Sequence, residues 1–93
     1  MIKVIIERKI AQGMESTYDA AIKDTLRAIL EAPGYMSGAN FKDSEDPNHR
    51  VIITNWRSLP AWKEWQASEA RRNVIAAIQP ILESSEKITV LTA

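Results

Sequence analysis

Met1-Ile2-Lys3-Val4-Ile5-Ile6-Glu7-Arg8-Lys9-Ile10 opens the chain, and its reading decides the fold. Branched aliphatic residues dominate it; they are stiff at χ1 and pack well on a pleated surface. In a strand, Ile2, Val4 and Ile6 share one face, while Ile5 and then Glu7 take the other. The stretch is therefore apolar on both sides at Val4-Ile5-Ile6. A sheet with helices on one face and water on the other alternates apolar and polar residues, and this one does not. Val51-Ile52-Ile53 and Val90-Leu91 repeat the pattern. One helical layer covers one side, so the other side requires a second cover. A second copy related by a two-fold axis is the simplest one. Each additional Ile or Val buried contributes about 1.5–3 kcal/mol, so a handful per subunit holds a homodimer together.

Working outward, Gln12-Gly13 breaks the first strand. Tyr18, Ile22, Leu26, Ile29 and Leu30, with Ala21 and Thr25, recur at helical spacing over 14–31. Pro33-Gly34 ends that helix, because proline cannot continue it and glycine accepts the turn. A second strand is predicted over 35–42, weakened by Gly38. Asp43 to Asn48 reads as a polar turn of the hairpin kind. The third strand covers 49–57, with Val51, Ile53 and Asn55 on one face and Ile52, Thr54 and Trp56 on the other. Ser58-Leu59-Pro60 carries a capping serine and a first-turn proline. Helical character continues to about Leu82, with a second start at Ser68-Glu69 and a bend at Pro80. The last strand covers 86–92.

The order β-α-β-β-α-β is that of an α+β ferredoxin-like domain. Both helical segments then cover one face of a four-stranded antiparallel sheet. At 93 residues the chain is one domain. With 12 basic and 12 acidic residues it lacks the basic footprint of a nucleic-acid binder. It has no cysteine, hence no disulfide, thiolate metal site or thiol nucleophile. Its N-terminal apolar run is too short for a signal peptide, and no segment reaches the ~20 apolar residues of a membrane helix. A cytoplasmic location is expected, with no membrane and no nucleic-acid partner.

Trp56, Trp62 and Trp65 crowd the junction of strand 3 and the next helix. They either plug that junction or wall an apolar pocket between helices and sheet for a flat small-molecule ligand. If the face carrying Ile5 looks towards the helices, Glu7 is a carboxylate at the pocket mouth and a candidate general base; otherwise it is a solvated strand end. Asn55 either hydrogen-bonds a ligand or ends its strand. His49, the single histidine, reads as a surface residue without acidic neighbours. One histidine excludes a histidine metal cluster, and Ser37 and Ser58 lack a paired base. Arg71-Arg72 reads as a solvated helix face.

With Pro33-Gly34-Tyr35-Met36-Ser37-Gly38 and the run from Trp56 to Ser68 (Trp-Arg-Ser-Leu-Pro-Ala-Trp-Lys-Glu-Trp-Gln-Ala-Ser), nearly the whole chain resembles the antibiotic biosynthesis monooxygenase (ABM) domain family of dimeric α/β-barrel proteins. The resemblance implies a homodimer whose sheets face each other, with a pocket in each subunit. Family members include cofactor-independent monooxygenases of aromatic substrates, haem-degrading monooxygenases and quinol oxygenases. In the haem-degrading branch, the tryptophan position matches Trp65. The asparagine position falls on Glu7 and the histidine position on Ile75, which cannot ligate iron, so haem is not expected. The resemblance leaves Glu7, Trp65 and Asn55 as the candidate catalytic set, with Tyr35, Trp62 and Ile75 lining the pocket and no cofactor. The alternatives are a non-catalytic dimer that binds a small apolar molecule and, less favoured by the residues, a haem-degrading enzyme.

Overall fold

A computed structural model describes residues 1–93. Strand β1 spans Ile2–Lys9, helix α1 Glu15–Ile29, β2 Tyr35–Lys42, β3 His49–Trp56, α2 Leu59–Gln66, α3 Glu69–Ile75 and β4 Lys87–Thr92; a single 3₁₀ turn, Gln79–Ile81, precedes β4. The expected β-α-β-β-α-β order is present. The long helical stretch is divided at Ser68, whose hydroxyl donates to Trp65 O at the end of α2 and accepts from Arg71 N to cap α3. Ser58 caps α2 in the same way through Ala61 N. Pro80 lies in the 3₁₀ turn rather than bending a continuous helix.

All strands pair antiparallel in the order β2-β3-β1-β4. Register fixes which side chains face the helices. Ile2, Val4 and Ile6 of β1 and Ile52 and Trp56 of β3 join Tyr18, Ile22 and Ile29 of α1 in one buried cluster with Trp62, Trp65 and Ile75. The opposite, open face is built in rows across the sheet: Phe41-Val51-Glu7-Lys87, then Ala39-Ile53-Ile5-Thr89, then Ser37-Asn55-Lys3-Leu91. Its middle is apolar, and Phe41 stands 52% exposed. Leu30, placed by its spacing in the buried stripe of α1, is instead 68% exposed, because the helix proper stops at Ile29.

Two glycines sit where a side chain would meet close neighbours. A Cβ on Gly38 would sit 2.5 Å from the Tyr35 hydroxyl, so the glycine that weakened the reading of β2 makes room for that side chain. Gly34 has φ +84°, and a Cβ there would lie 2.5 Å from Ala61 Cβ. Left-handed backbone strain and the clash with α2 add, so Gly34→Ala is expected to lower stability by about 2 kcal/mol, read as a shifted urea midpoint at unchanged slope.

Candidate functional site

The space between sheet and α2 is filled by aromatic rings. Trp56, at the end of β3, is fully buried, and its indole N–H donates to Thr54 Oγ1 at 3.0 Å. Tyr35 and Trp62 meet it edge-on, with centroids 5.3 and 5.8 Å away, and Trp65 stacks at 6.5 Å. Edge-to-face and offset-stacked contacts of this kind add to the area each ring buries. The tryptophans therefore plug the strand–helix junction. Burial also pushes the Tyr35 hydroxyl above its ordinary pKa.

What stays open is a cleft one layer further out, between the C-terminal end of α1 and α2. Ala28, Ala32 and Ala61 line it with small side chains. Trp65 is its aromatic wall, and Glu31 and Glu64 stand at its rim. The cleft measures about 170 Å³. A protein cavity of roughly 150 Å³ takes benzene, so this cleft has room for a single ring.

Of the six residues expected at one site, the structure places only Trp65 at this cleft. Trp62 and Ile75 are core residues and Tyr35 packs on Trp56. Glu7 and Asn55 lie on the open face of the sheet, which separates them from Trp65. The reason is parity: Glu7 alternates with Ile6, Asn55 with Trp56, and it is the even-numbered set that faces the helices. Asn55 Nδ2 donates to Ser37 Oγ at 3.1 Å. The pocket-mouth position for Glu7 is thus corrected. Ile75 is buried in the core.

His49 is corrected as well, for it does have acidic neighbours. Its Nδ1 lies 2.9 Å from Asp43 Oδ2 across the hairpin and its Nε2 3.5 Å from Glu7 Oε1 across the sheet. The Asp43 hydrogen bond raises its pKa; partial burial opposes this and Glu7 adds to it. The same bond lowers Asp43.

The largest group missed in the sequence is ionic and lies under α1. Arg8 and Arg50 are cross-strand partners, both buried, with their guanidinium carbons 6.0 and 5.4 Å from the Tyr18 ring centroid. Arg8 donates to Tyr18 Oη at 3.1 Å and, through Nε, to Glu86 at 3.0 Å. Arg71, expected in solvent, is 9% exposed and donates to the other Glu86 oxygen at 2.6 Å. Arg50 bonds Asp19 and Pro47 O. The parity of β1 and β3 carried the signal: Arg8 continues the series Ile2-Val4-Ile6, and Arg50 precedes Ile52-Thr54-Trp56.

Comparison with known proteins agrees with the architecture. The family described as "Antibiotic biosynthesis monooxygenase" matches residues 1–77. A solved structure of an antibiotic biosynthesis monooxygenase superposes with a TM-score of 0.91 at 20% identity, covering 100% of this chain and 98% of that one. Rv0793 from Mycobacterium tuberculosis gives 0.87 at 20% identity, covering 99% and 93%. SnoaB, a cofactor-independent oxygenase from Streptomyces nogalater, gives 0.86 at 15% identity, covering 99% and 92%. At these identities the likeness is one of fold. Among curated proteins none matches the chain in sequence. With the match running through the first three strands, the tryptophan junction and both walls of the cleft, the chain belongs to the antibiotic biosynthesis monooxygenase family.

Proposed function

We propose that the protein is a cofactor-independent monooxygenase of a one-ring quinol-like substrate, acting as a homodimer closed through the open sheet face. The observation that carries the reading is the apolar cleft with an indole wall, sized for one ring, in a chain of this family. The substrate supplies the electrons. Loss of its hydroxyl proton gives an electron-rich anion that reduces oxygen; a ring C–H becomes C–O, one oxygen atom enters the ring and the other leaves as water. A hydroquinone plus O₂ then yields a hydroxyquinone plus water, a four-electron exchange that needs no outside reductant. Glu31 and Glu64 replace Glu7 as acceptors of the proton, being the only ionisable side chains lining the cleft. The apolar wall holds the anion in place against Trp65, and positioning of this kind contributes rate by removing orientational freedom.

Oxygen uptake with monocyclic hydroquinones, in protein free of added metal or cofactor, tests it. Uptake above the uncatalysed rate is expected, falling about a hundred-fold in Trp65→Ala through lost positioning. Trp65→Phe, which keeps a ring over Trp56, is expected to stay folded and retain part of the turnover. Absence of enzyme-dependent uptake across the panel overturns the reading. A second reading, a dimer that binds a small apolar ligand without turning it over, is favoured by one observation: the carboxylate with a histidine partner, Glu7, lies across the sheet from the cleft. Ligand binding with no oxygen uptake is its signature.

A further inference from the structure

One end of the open sheet face is built from charges that a single histidine balances. His49 has the parity of Val51, Ile53 and Asn55, so it stands on that face, one row from Phe41 and Val51. Its imidazole lies between two carboxylates, 2.9 Å from Asp43 Oδ2 and 3.5 Å from Glu7 Oε1. No other basic group is in ion-pair contact with either of them. The neighbouring cations are occupied or apart. Lys9, opposite His49 in β1, is held by the Asp46 carboxylate of the hairpin. Lys87, opposite Glu7 in β4, pairs with no carboxylate. Arg50, next in β3, turns to the helical face and bonds Asp19. His49, Glu7 and Asp43 are each about one-third exposed, so a cover over the face has water to displace from all three.

With His49 neutral, Asp43 and Glu7 carry two negative charges against the one positive charge of Lys87. With it protonated, the four groups sum to zero. Taking such a group out of water costs more the more charge is left uncompensated. The attraction of an imidazolium to both carboxylates also strengthens as the surroundings dry. We propose that His49 makes the sheet-to-sheet homodimer, on which this rests, sensitive to pH: a second copy is held more tightly when the imidazole is charged and bridges Asp43 to Glu7. The dimer then binds protons more tightly than separated subunits do. Its affinity is highest below the imidazole pKa of the lone subunit and falls as pH rises through the higher value in the dimer.

Sedimentation equilibrium of the intact protein at about pH 5.5 and about pH 9 measures this, a range over which carboxylates and lysines keep their charge. Two imidazoles, each gaining about half a pK unit on pairing, make the dimer about tenfold weaker at the higher pH. His49→Gln, at a part-exposed position, is expected to fold and to pair with the parent's high-pH affinity at both values. Asp43→Asn/Glu7→Gln removes the charge that the imidazole balances, and is expected to abolish the weakening at high pH. A parent affinity that is flat or rises with pH, or a weakening that persists in either variant, overturns the proposal. A dimer of pH-independent affinity removes the switch and leaves the homodimer standing, whereas a parent that is monomeric at both values removes the two together.

Discussion

Glu86→Gln is expected to destabilise the fold by about 3–5 kcal/mol, the cost of breaking a buried ion pair by removing one partner. Domains of this kind hold only about 5–15 kcal/mol in all. Glu86 accepts from Arg8 Nε at 3.0 Å and from Arg71 at 2.6 Å, in a place where the Arg8 side chain is 1% exposed. Without the carboxylate charge, two guanidinium groups stay buried beside a third, Arg50, whose acidic partner Asp19 is itself more than half exposed. Glutamine keeps the shape and part of the hydrogen bonding, so the loss measured is chiefly that of charge. The pH dependence gives an independent check. Burial pushes the Glu86 pKa up, but the guanidinium groups of Arg71 and Arg8 outweigh it, so the folded value lies below the ordinary 4.5. A carboxyl with a lowered folded pKa stabilises above its unfolded value, and that contribution disappears as pH falls through the folded value. The parent protein is therefore expected to lose stability steadily below about pH 4.5, and Glu86→Gln to lose less over the same interval. His49 works in the opposite direction: its raised pKa favours the fold below 6.5, and the benefit is lost as pH rises through the folded value. Being about one-third exposed, His49 contributes the smaller effect. Urea midpoints for both proteins across this range decide the matter, and a variant as stable as the parent at neutral pH shows that the arginines are adequately paired without Glu86.

That cluster also separates what is local in this sequence from what is not. The strands, the hairpin at Asp43 to Asn48, the Ser68 division of the helical stretch and the Pro33-Gly34 stop were all legible, because each is a local signal: branched aliphatics in period two, a capping hydroxyl, a left-handed glycine. What local signals do not carry is which parity faces the helices when both are apolar. Val4-Ile5-Ile6 has no polar side to settle the question, so the sequence leaves Glu7 either at a pocket mouth beside the helices or at a solvated strand end. Arg8 held the answer, but a buried arginine is read correctly only once its carboxylate is known, and Glu86 lies far along the chain. The tryptophans were legible as a junction group. That they fill the space completely, leaving the opening outside them between α1 and α2, depends on ring orientations that spacing does not encode. Glu31 and Glu64 are each an ordinary exposed glutamate until the two walls of the cleft are brought together.

The open face of the sheet yields the other large effect. Ile53 lies in the middle row, between Ala39 and Ile5, with Phe41 and Val51 one row away. In a lone subunit this side chain borders water, so Ile53→Lys there is expected to change stability by less than about 1 kcal/mol, the lysine stem lying along the sheet with its ammonium in solvent. In a sheet-to-sheet homodimer the two-fold axis brings two such lysines into one apolar interface. Each buried, unpaired ammonium costs several kcal/mol, and every 1.4 kcal/mol is a factor of ten in affinity, so the dimer is expected to weaken at least a thousand-fold. Sedimentation equilibrium at micromolar concentration should then find the parent as a dimer and Ile53→Lys as a folded monomer. Leu30→Lys, which changes a large exposed apolar residue at the end of α1, on the helical side of the molecule, is the matched control and should leave the dimer intact. A parent that sediments as a stable monomer, or an Ile53→Lys variant that still pairs, defeats the dimer outright. The contrast between the two lysine variants carries the argument, because general loss of apolar surface predicts that both behave alike, whereas a sheet-to-sheet interface predicts that only the one at Ile53 matters.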